Sequence, residues 1–340
     1  MRPAKSLLAT LALATALPAG AAMAEGEVNI YSSRHYDTDE RLYSDFTEAT
    51  GITVNRIEGK ADELIARLEA EGDNSPADLL ITVDAGRMWR ADQAGLLSPV
   101  ESEVLNAHIP DHLRHPDGHW FGLSQRARII FYDKNEVDTP PRTYAALADP
   151  AYKGQVCTRS GSNIYMLSML VAQIEHLGAE EATAWVQGMW DNRAREPQGG
   201  DTDQLRAIVS GECDIVVANT YYFARGLAGD VDGLTSGIDG IGWIFPDQSG
   251  TGSHVNVSAA AVTAHAPNRE NAIKFLEYLT TASAQEYFSE GNNEYPAVPG
   301  TALAAPLATL GLFRQDDLPL EALGRNQTEA QNIYDTVGYK

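Results

Sequence analysis

Short β-branched segments alternate with amphipathic helical segments along most of this chain, and the alternation restricts the folds open to it. Extended runs at 27–33 and 52–57 precede a helical pattern at 61–71, in which Leu64 and Leu68 share one face. This order is typical of a parallel sheet covered by helices. We therefore predict an α/β protein.

Two longer extended stretches, 120–132 and 254–263, enclose a second α/β series that begins at Val156. Long strands on either side of a complete series indicate a chain that passes from one lobe to another and returns. We therefore predict two discontinuous lobes, and the helix at 268–280 is expected back in the first. The predicted boundaries are 25–125 plus 260–312 for lobe one, and 126–259 plus 313–340 for lobe two.

The first residues have the features of a cleaved secretory signal. Arg2 and Lys5 precede an apolar run at 6–16 that is too short to span a bilayer, and Ala22-Met23-Ala24 fits a cleavage site. The predicted signal peptide is therefore 1–24. The mature chain is expected in the periplasm, with no stable insertion into the membrane.

The charge of the chain is strongly acidic. It has 25 Lys and Arg against 47 Asp and Glu, a net charge of −22, which becomes about −24 once Arg2 and Lys5 are removed. Nucleic-acid binding requires a basic face, so we expect no nucleic-acid partner.

The only two cysteines, Cys157 and Cys213, both lie in strand-like runs. In an oxidising compartment such a pair favours a disulfide, with two free buried thiols as the alternative.

Tyrosines cluster at predicted strand-to-helix turns. Tyr221 and Tyr222 are adjacent, His35 and Tyr36 follow the first strand, and Tyr165 opens a helix. Such turns lie at the carboxyl edge of a parallel sheet, where α/β proteins bind ligands. Phenolate is a hard anionic donor and suits a hard, highly charged cation, of which ferric iron fits best. A single tyrosine more often serves packing, so the prediction depends on the whole set.

Four phenolates on ferric iron, with a neutral histidine, would carry about one negative charge, and a buried charge requires a partner. Arg126 and Arg225 are the candidate charge partners beside the site, with Arg34 as a third. Each could instead pair with an ordinary carboxylate.

Four segments together resemble the ferric-iron-binding periplasmic proteins of ABC transporters, in their tyrosine-rich, FutA-like branch. The segments are 31–36 (Tyr-Ser-Ser-Arg-His-Tyr), 57–64 (Ile-Glu-Gly-Lys-Ala-Asp-Glu-Leu), 76–84 (Pro-Ala-Asp-Leu-Leu-Ile-Thr-Val-Asp) and 218–222 (Ala-Asn-Thr-Tyr-Tyr). The resemblance covers essentially the whole mature chain.

The resemblance implies a type II periplasmic binding protein fold, with a mixed sheet covered by helices in each lobe and the ligand in the cleft between them. It further implies a monomer that captures Fe3+, or secondarily Fe2+, and delivers it to an ABC transporter permease for iron uptake. The metal ligands that it implies are His35, Tyr36, Tyr165, Tyr221 and Tyr222.

Two other functions remain open at this point. The same fold could bind an organic solute such as a polyamine, thiamine or a phosphonate, with the aromatic rings forming a box around it. A tyrosinate non-haem iron enzyme would require open coordination positions, and five protein ligands leave little room for them. The chain has no G-x-S-x-G, H-E-x-x-H or G-x-x-x-x-G-K-[ST] motif, so we expect no enzyme.

Histidines 108, 112, 115 and 119 suggest zinc by their density. Because Pro110 and Pro116 prevent one helix from aligning them, the prediction is a solvated loop that binds metal only adventitiously.

Overall fold

The computed structural model describes residues 26–34, 36, 39–229 and 231–339. The predicted signal peptide and His35 lie outside the described residues. The strands are β1 Glu27–Ser32, β2 Thr53–Glu58, β3 Leu79–Thr82, β4 Phe121–Asp133, β5 Val156–Cys157, β6 Ile215–Asn219, β7 Ile241–Ile244, β8 Val255–Val262 and β9 Tyr295–Pro296.

The α-helices cover these strands. They are α1 Glu40–Thr50, α2 Ala61–Glu71, α3 Ala85–Gln93, α4 Glu103–His108, α5 Ile164–Leu177, α6 Ala179–Asp191, α7 Asp201–Val209, α8 Thr220–Ala228, α9 Arg269–Tyr278, α10 Ala282–Asn292, α11 Ala305–Leu310, α12 Ala322–Arg325 and α13 Gln327–Val337. In the described part of the chain, no helix combines the length and apolarity that a membrane span requires.

The strands form one continuous set in the order β2-β1-β3-β8-β4-β6-β5, and β7 and β9 also pair with β4. β1 pairs in parallel with β2 and β3, and β5 pairs in parallel with β6. β8 and β4 are antiparallel to their neighbours, so both halves of the molecule contain mixed sheets. The predicted α/β organisation with mixed sheets is confirmed.

The long strand β4 joins the two halves. Its first part, Phe121 to Ala127, pairs with β8, and its second part, from Arg128 onward, pairs with β6 and β7. Ile129 and Ile130, which point to opposite faces of the strand, are both fully buried, as expected for a strand covered on both faces. The prediction of a long strand that passes between the lobes is therefore confirmed.

The helices near the carboxyl terminus contact both halves. α11 packs on α8, α12 contacts α3 and α5, and α13 packs on α5 and α6. The residue boundaries proposed for the two lobes stay a prediction.

The predicted disulfide is confirmed. Cys157 and Cys213 are bonded and buried, and they join the short strand β5 to the segment just before β6. The bond fixes the strand pair that leads into α8, where the adjacent tyrosines lie.

Candidate metal centre

The adjacent tyrosines occupy the first turn of α8, directly after β6. Phe223 packs against Phe131 of β4, with ring centroids 4.9 Å apart. Residues two apart on a helix point about 200° apart around its axis. The helix face that carries Phe223 packs on β4, so Tyr221 lies on the opposite face of α8. The rings of Tyr221 and Tyr222 stack at 4.1 Å, and Tyr221 is 1% exposed.

Tyr165 reaches the same point from α5. The side chain of Asn163 caps this helix and accepts a hydrogen bond from the backbone N–H of Tyr165 at 3.0 Å. The phenol oxygens of Tyr165 and Tyr221 then lie 3.3 Å apart.

Tyr36 approaches from the other half of the molecule, in the segment that follows β1. The guanidinium of Arg225, on α8, lies 5.3 Å from the ring centre of Tyr36 and 5.1 Å from that of Tyr221. Tyr165 is close enough to Tyr36 for the charge of its phenolate to raise the pKa of Tyr36. The four predicted tyrosines therefore come together in one place, whereas His35 lies outside the described residues and its role as a ligand stays a prediction.

Burial controls the acidity of these phenols. Burial, and then the carboxylate of Glu294, raise the pKa of Tyr36 to about 12. Burial, and then the neighbouring Tyr165, also raise the pKa of Tyr221 and of Tyr222 above the ordinary value. These three phenols are thus neutral near pH 7 without a metal, and a trivalent cation would be needed to favour the phenolates.

Cations surround the phenols. The guanidinium of Arg126 lies 6.0 Å from the ring centre of Tyr165, and that of Arg159 lies 5.4 Å from it. Both predicted charge partners, Arg126 and Arg225, therefore stand beside the tyrosines. Sequence reasoning missed Arg159, although its place two residues after β5 is at the sheet edge where Tyr221 also lies.

A buried carboxylate, Glu294, joins Arg34 to Arg126 and was also missed. It accepts hydrogen bonds from Arg34 Nη1 at 3.0 Å, from Ser124 Oγ at 2.6 Å and from Arg126 Nη1 at 3.4 Å. Asp39 accepts a further bond from Arg34 Nε at 2.7 Å. This network fixes the segment that carries Tyr36 to the strand that joins the halves. Nothing local in the sequence marks Glu294, which comes just after α10.

Asp201 organises the opposite side of the centre. It accepts hydrogen bonds from Arg128 Nη1 and from the backbone N–H of Asn219, each at 3.0 Å, and its other oxygen lies 3.6 Å from Arg159 Nη1. Asn219 is the last residue before α8, so this carboxylate fixes the turn that presents Tyr221.

A cavity of about 700 Å³ lies between the two halves. Its lining combines Ser33, Gly59 and Val83 from one half with Asn163 and Ile164 from the other. The two halves thus meet at a cleft that reaches the residues directly before Tyr165, as ligand binding between two lobes requires.

The histidine cluster differs from the predicted solvated loop. His115 and His119 are 13% and 29% exposed, and their rings stack at 4.7 Å beside Asp92. Pro110 and Pro116 prevent a common helix, but the turn between α4 and β4 brings these two rings together. His108 is instead bonded to Thr280 at 2.9 Å, and His112 is exposed.

Comparisons with known proteins agree with this architecture. Iron uptake protein A1 of Synechocystis is 47% identical over 315 residues, which are 92% of this chain and 88% of that protein. A Trichodesmium protein described as IdiA or FutA in complex with iron and citrate matches with a TM-score of 0.89 and 48% identity, over 93% of this chain and all of that one.

The metal-free FutA2 structure from Synechocystis matches with a TM-score of 0.87 and 46% identity, over 92% of this chain and 99% of that one. These matches confirm the predicted two-lobed periplasmic binding protein fold. The family model described as bacterial extracellular solute-binding protein matches residues 41–314. This chain belongs to the bacterial extracellular solute-binding proteins, in the FutA-like branch that contains these relatives.

Proposed function

We propose that this protein captures ferric iron outside the cytoplasm and delivers it to an ABC transporter permease for iron uptake. The observation that carries the proposal is the meeting of Tyr36, Tyr165, Tyr221 and Tyr222, with the oxygens of Tyr165 and Tyr221 3.3 Å apart. Relatives named for iron uptake, and one solved with iron and citrate, support the same cargo.

The chemistry of the donors favours Fe3+ over Fe2+. Phenolates are hard, anionic oxygen donors, and the higher charge of ferric iron compensates the cost of ionising buried phenols. In this proposal all four tyrosines bind as phenolates, and His35 supplies a neutral nitrogen. Arg126, Arg225 and Arg159 then offset the net negative charge of the complex.

Donors from both halves give the protein a way to signal its loaded state. Tyr36 belongs to one half and the other three tyrosines to the second, so a bound ion stabilises the arrangement in which the halves are closed. The closed form is the one proposed to dock on the permease. No covalent step is involved, so we assign a binding role and no enzymatic activity.

The remaining expectations follow from the same role. A chain exported by the predicted signal peptide at 1–24 would work in the periplasm as a soluble monomer. Arg126 and Arg225 are proposed to offset the negative charge of the metal complex. The proposed metal ligands are His35 and the four tyrosines.

The test is a visible absorption spectrum of the purified mature protein, with and without ferric citrate, together with metal analysis. The expected result is a tyrosinate-to-iron charge-transfer band and one iron per chain. A protein that stays colourless and iron-free after loading would contradict the proposal and favour an organic solute. Oxygen uptake with a catechol substrate would favour an enzyme instead.

A further inference from the structure

A second group of metal-binding side chains lies outside the tyrosine centre. Asp92 is in the last turn of α3, and His115 and His119 lie on the segment between α4 and β4. One potential ligand atom from each side chain lies within 4.8 Å of the other two. α3 begins beside the cleft at Ala85, and Asp92 is seven residues further on, about 10 Å along the helix.

We propose that Asp92, His115 and His119 form a second metal site, selective for a borderline divalent cation such as Zn2+. Two imidazole nitrogens and one carboxylate oxygen are a donor set that Zn2+ accepts, with water as the fourth ligand. Ferric iron prefers the harder oxygen donors of the tyrosine centre. The two sites therefore have different chemistry and can be filled independently.

The side chains are already close to the required arrangement. His119 Nδ1 contacts Asp92 Oδ1 directly, and His115 Nε2 lies 3.7 Å from Asp92 Oδ2. Tetrahedral zinc with bonds near 2.1 Å places its ligand atoms about 3.4 Å apart. Small side-chain rotations are enough to reach that spacing. Asp92 is 8% exposed, so the metal would neutralise a largely buried carboxylate.

The protons of the cluster set the cost of metal binding. The backbone N–H of Asp117 donates to His115 Nδ1 at 3.1 Å, so the neutral ring carries its proton on Nε2, facing Asp92. A metal on Nε2 displaces this proton, and the ring then carries its proton on Nδ1. The bond from Asp117 is lost, but Asp117 is in an exposed turn where water can replace its partner.

A metal at this site would link the end of α3 to the segment before β4, the strand that joins the two halves. The backbone N–H of His115 donates to the carbonyl of Trp120 at 3.0 Å, and β4 begins at the next residue, Phe121. A metal on Asp92, His115 and His119 would hold the end of α3 against the start of this strand.

The experiment is a calorimetric titration of Zn2+ into tag-free, chelator-treated mature protein whose tyrosine centre has first been filled with ferric iron. We expect one Zn2+ per chain without loss of the iron band. The same titration on metal-free Tyr221→Phe protein should also give one Zn2+, which separates this site from the proposed iron function.

His119→Gln and Asp92→Asn should each weaken Zn2+ binding by at least about tenfold. His112→Gln, an exposed histidine on the same segment, should leave it unchanged. Circular dichroism, and an unchanged iron band, would establish that each variant is folded. Crystals of the zinc-loaded protein should show an anomalous peak at the zinc edge between Asp92 and His119.

Three results would overturn the inference. They are the absence of stoichiometric Zn2+ binding, Zn2+ binding that is equal in wild type and in both ligand variants, and an anomalous peak located elsewhere.

Discussion

The phenol oxygens of Tyr165 and Tyr221 lie 3.3 Å apart, although 56 residues separate them along the chain. Each tyrosine lies in the first turn of a helix, and the strands β5 and β6, which precede α5 and α8, are adjacent and parallel. Parallel neighbours end at the same edge of the sheet, so the helices that follow them begin side by side. The order of the strands in the sheet therefore brings these two phenol oxygens together.

Replacing Tyr165 by Phe should remove one phenolate from the iron centre. Changing residues that only support a metal ligand typically costs 10- to 100-fold in affinity, so we expect a loss of at least about 100-fold and a shifted charge-transfer band. Competition with citrate, followed by visible absorption, measures both. Tyr152→Phe is the matched control, because the Tyr152 hydroxyl bonds only to the exposed Thr139 carbonyl. Equal iron retention in the two variants would contradict the assignment of Tyr165.

Iron loading should release protons at pH 7 and strengthen as pH rises. The pKa of Tyr36 is raised to about 12 by burial and Glu294, and burial also raises the pKa of Tyr221. These phenols are therefore protonated before loading and must lose their protons to bind. The measurement is proton release in weak buffer, with wild type expected to release about one proton per iron more than Tyr221→Phe. Identical release by the two proteins would contradict four-phenolate binding.

Arg225→Gln should weaken iron binding by about 10- to 100-fold. Its guanidinium lies about equally far from the rings of Tyr36 and Tyr221, at 5.3 and 5.1 Å, and so favours negative charge on tyrosines from both halves. Citrate competition at two salt concentrations measures the change. Arg206→Gln, on the exposed face of α7, serves as the control. An unchanged affinity in Arg225→Gln would exclude a charge role for this residue.

Glu294→Gln should lower the free energy of unfolding by about 3 kcal/mol, because it leaves the guanidiniums of Arg34 and Arg126 buried without their shared carboxylate. Denaturant unfolding of the metal-free protein measures the loss. Glu290→Gln, at an exposed position of α10, is the control. Equal stability of the two variants would mean that the buried network contributes little.

The same carboxylate predicts a pH dependence of stability. Burial acts to raise the pKa of Glu294, but Arg34 and Arg126 outweigh it and hold the pKa below its ordinary value. The stabilisation is therefore present above about pH 4.3 and is lost as pH falls through the lower folded-state pKa. Unfolding measured from pH 6 to pH 3 should show a smaller decline in Glu294→Gln than in wild type.

Removing the disulfide with Cys157→Ala and Cys213→Ala should lower the free energy of unfolding by about 2–4 kcal/mol, because the bond closes a loop across a separation of 56 residues. The iron band should persist, since neither sulfur belongs to the tyrosine centre. Loss of the band in a folded double variant would show that the β5–β6 pair needs the bond to position Tyr221.

Local pattern was enough to predict many of the elements. The helix predicted at 61–71 is α2, with Leu64 and Leu68 buried, and the stretch predicted at 120–132 is β4, displaced by one residue. These predictions succeed because periodicity and β-branching act within a few residues. The tyrosines were found for a similar reason, because strand-to-helix turns can be read locally.

The charges around the tyrosines could not be found in this way. Glu294 meets Arg34 across 260 residues and Arg126 across 168, and no short segment carries that information. The pairing of Asp92 with His115 and His119 likewise depends on how α3 packs beside the turn before β4. An exposed ion pair contributes little to stability, but removing one partner of a buried pair is costly. These buried pairs therefore help to determine the structure of the site.

The sequence by itself determined the α/β class, many of the strands and helices, the disulfide pair and the tyrosines that are proposed to supply oxygen donors. Only the tertiary structure decided which carboxylates and cations share the site with them, and how acidic the phenols are. The physical reason is range: hydrophobic periodicity acts between neighbours in the chain, whereas desolvation and buried charge pairing depend on groups that meet only when the chain is folded.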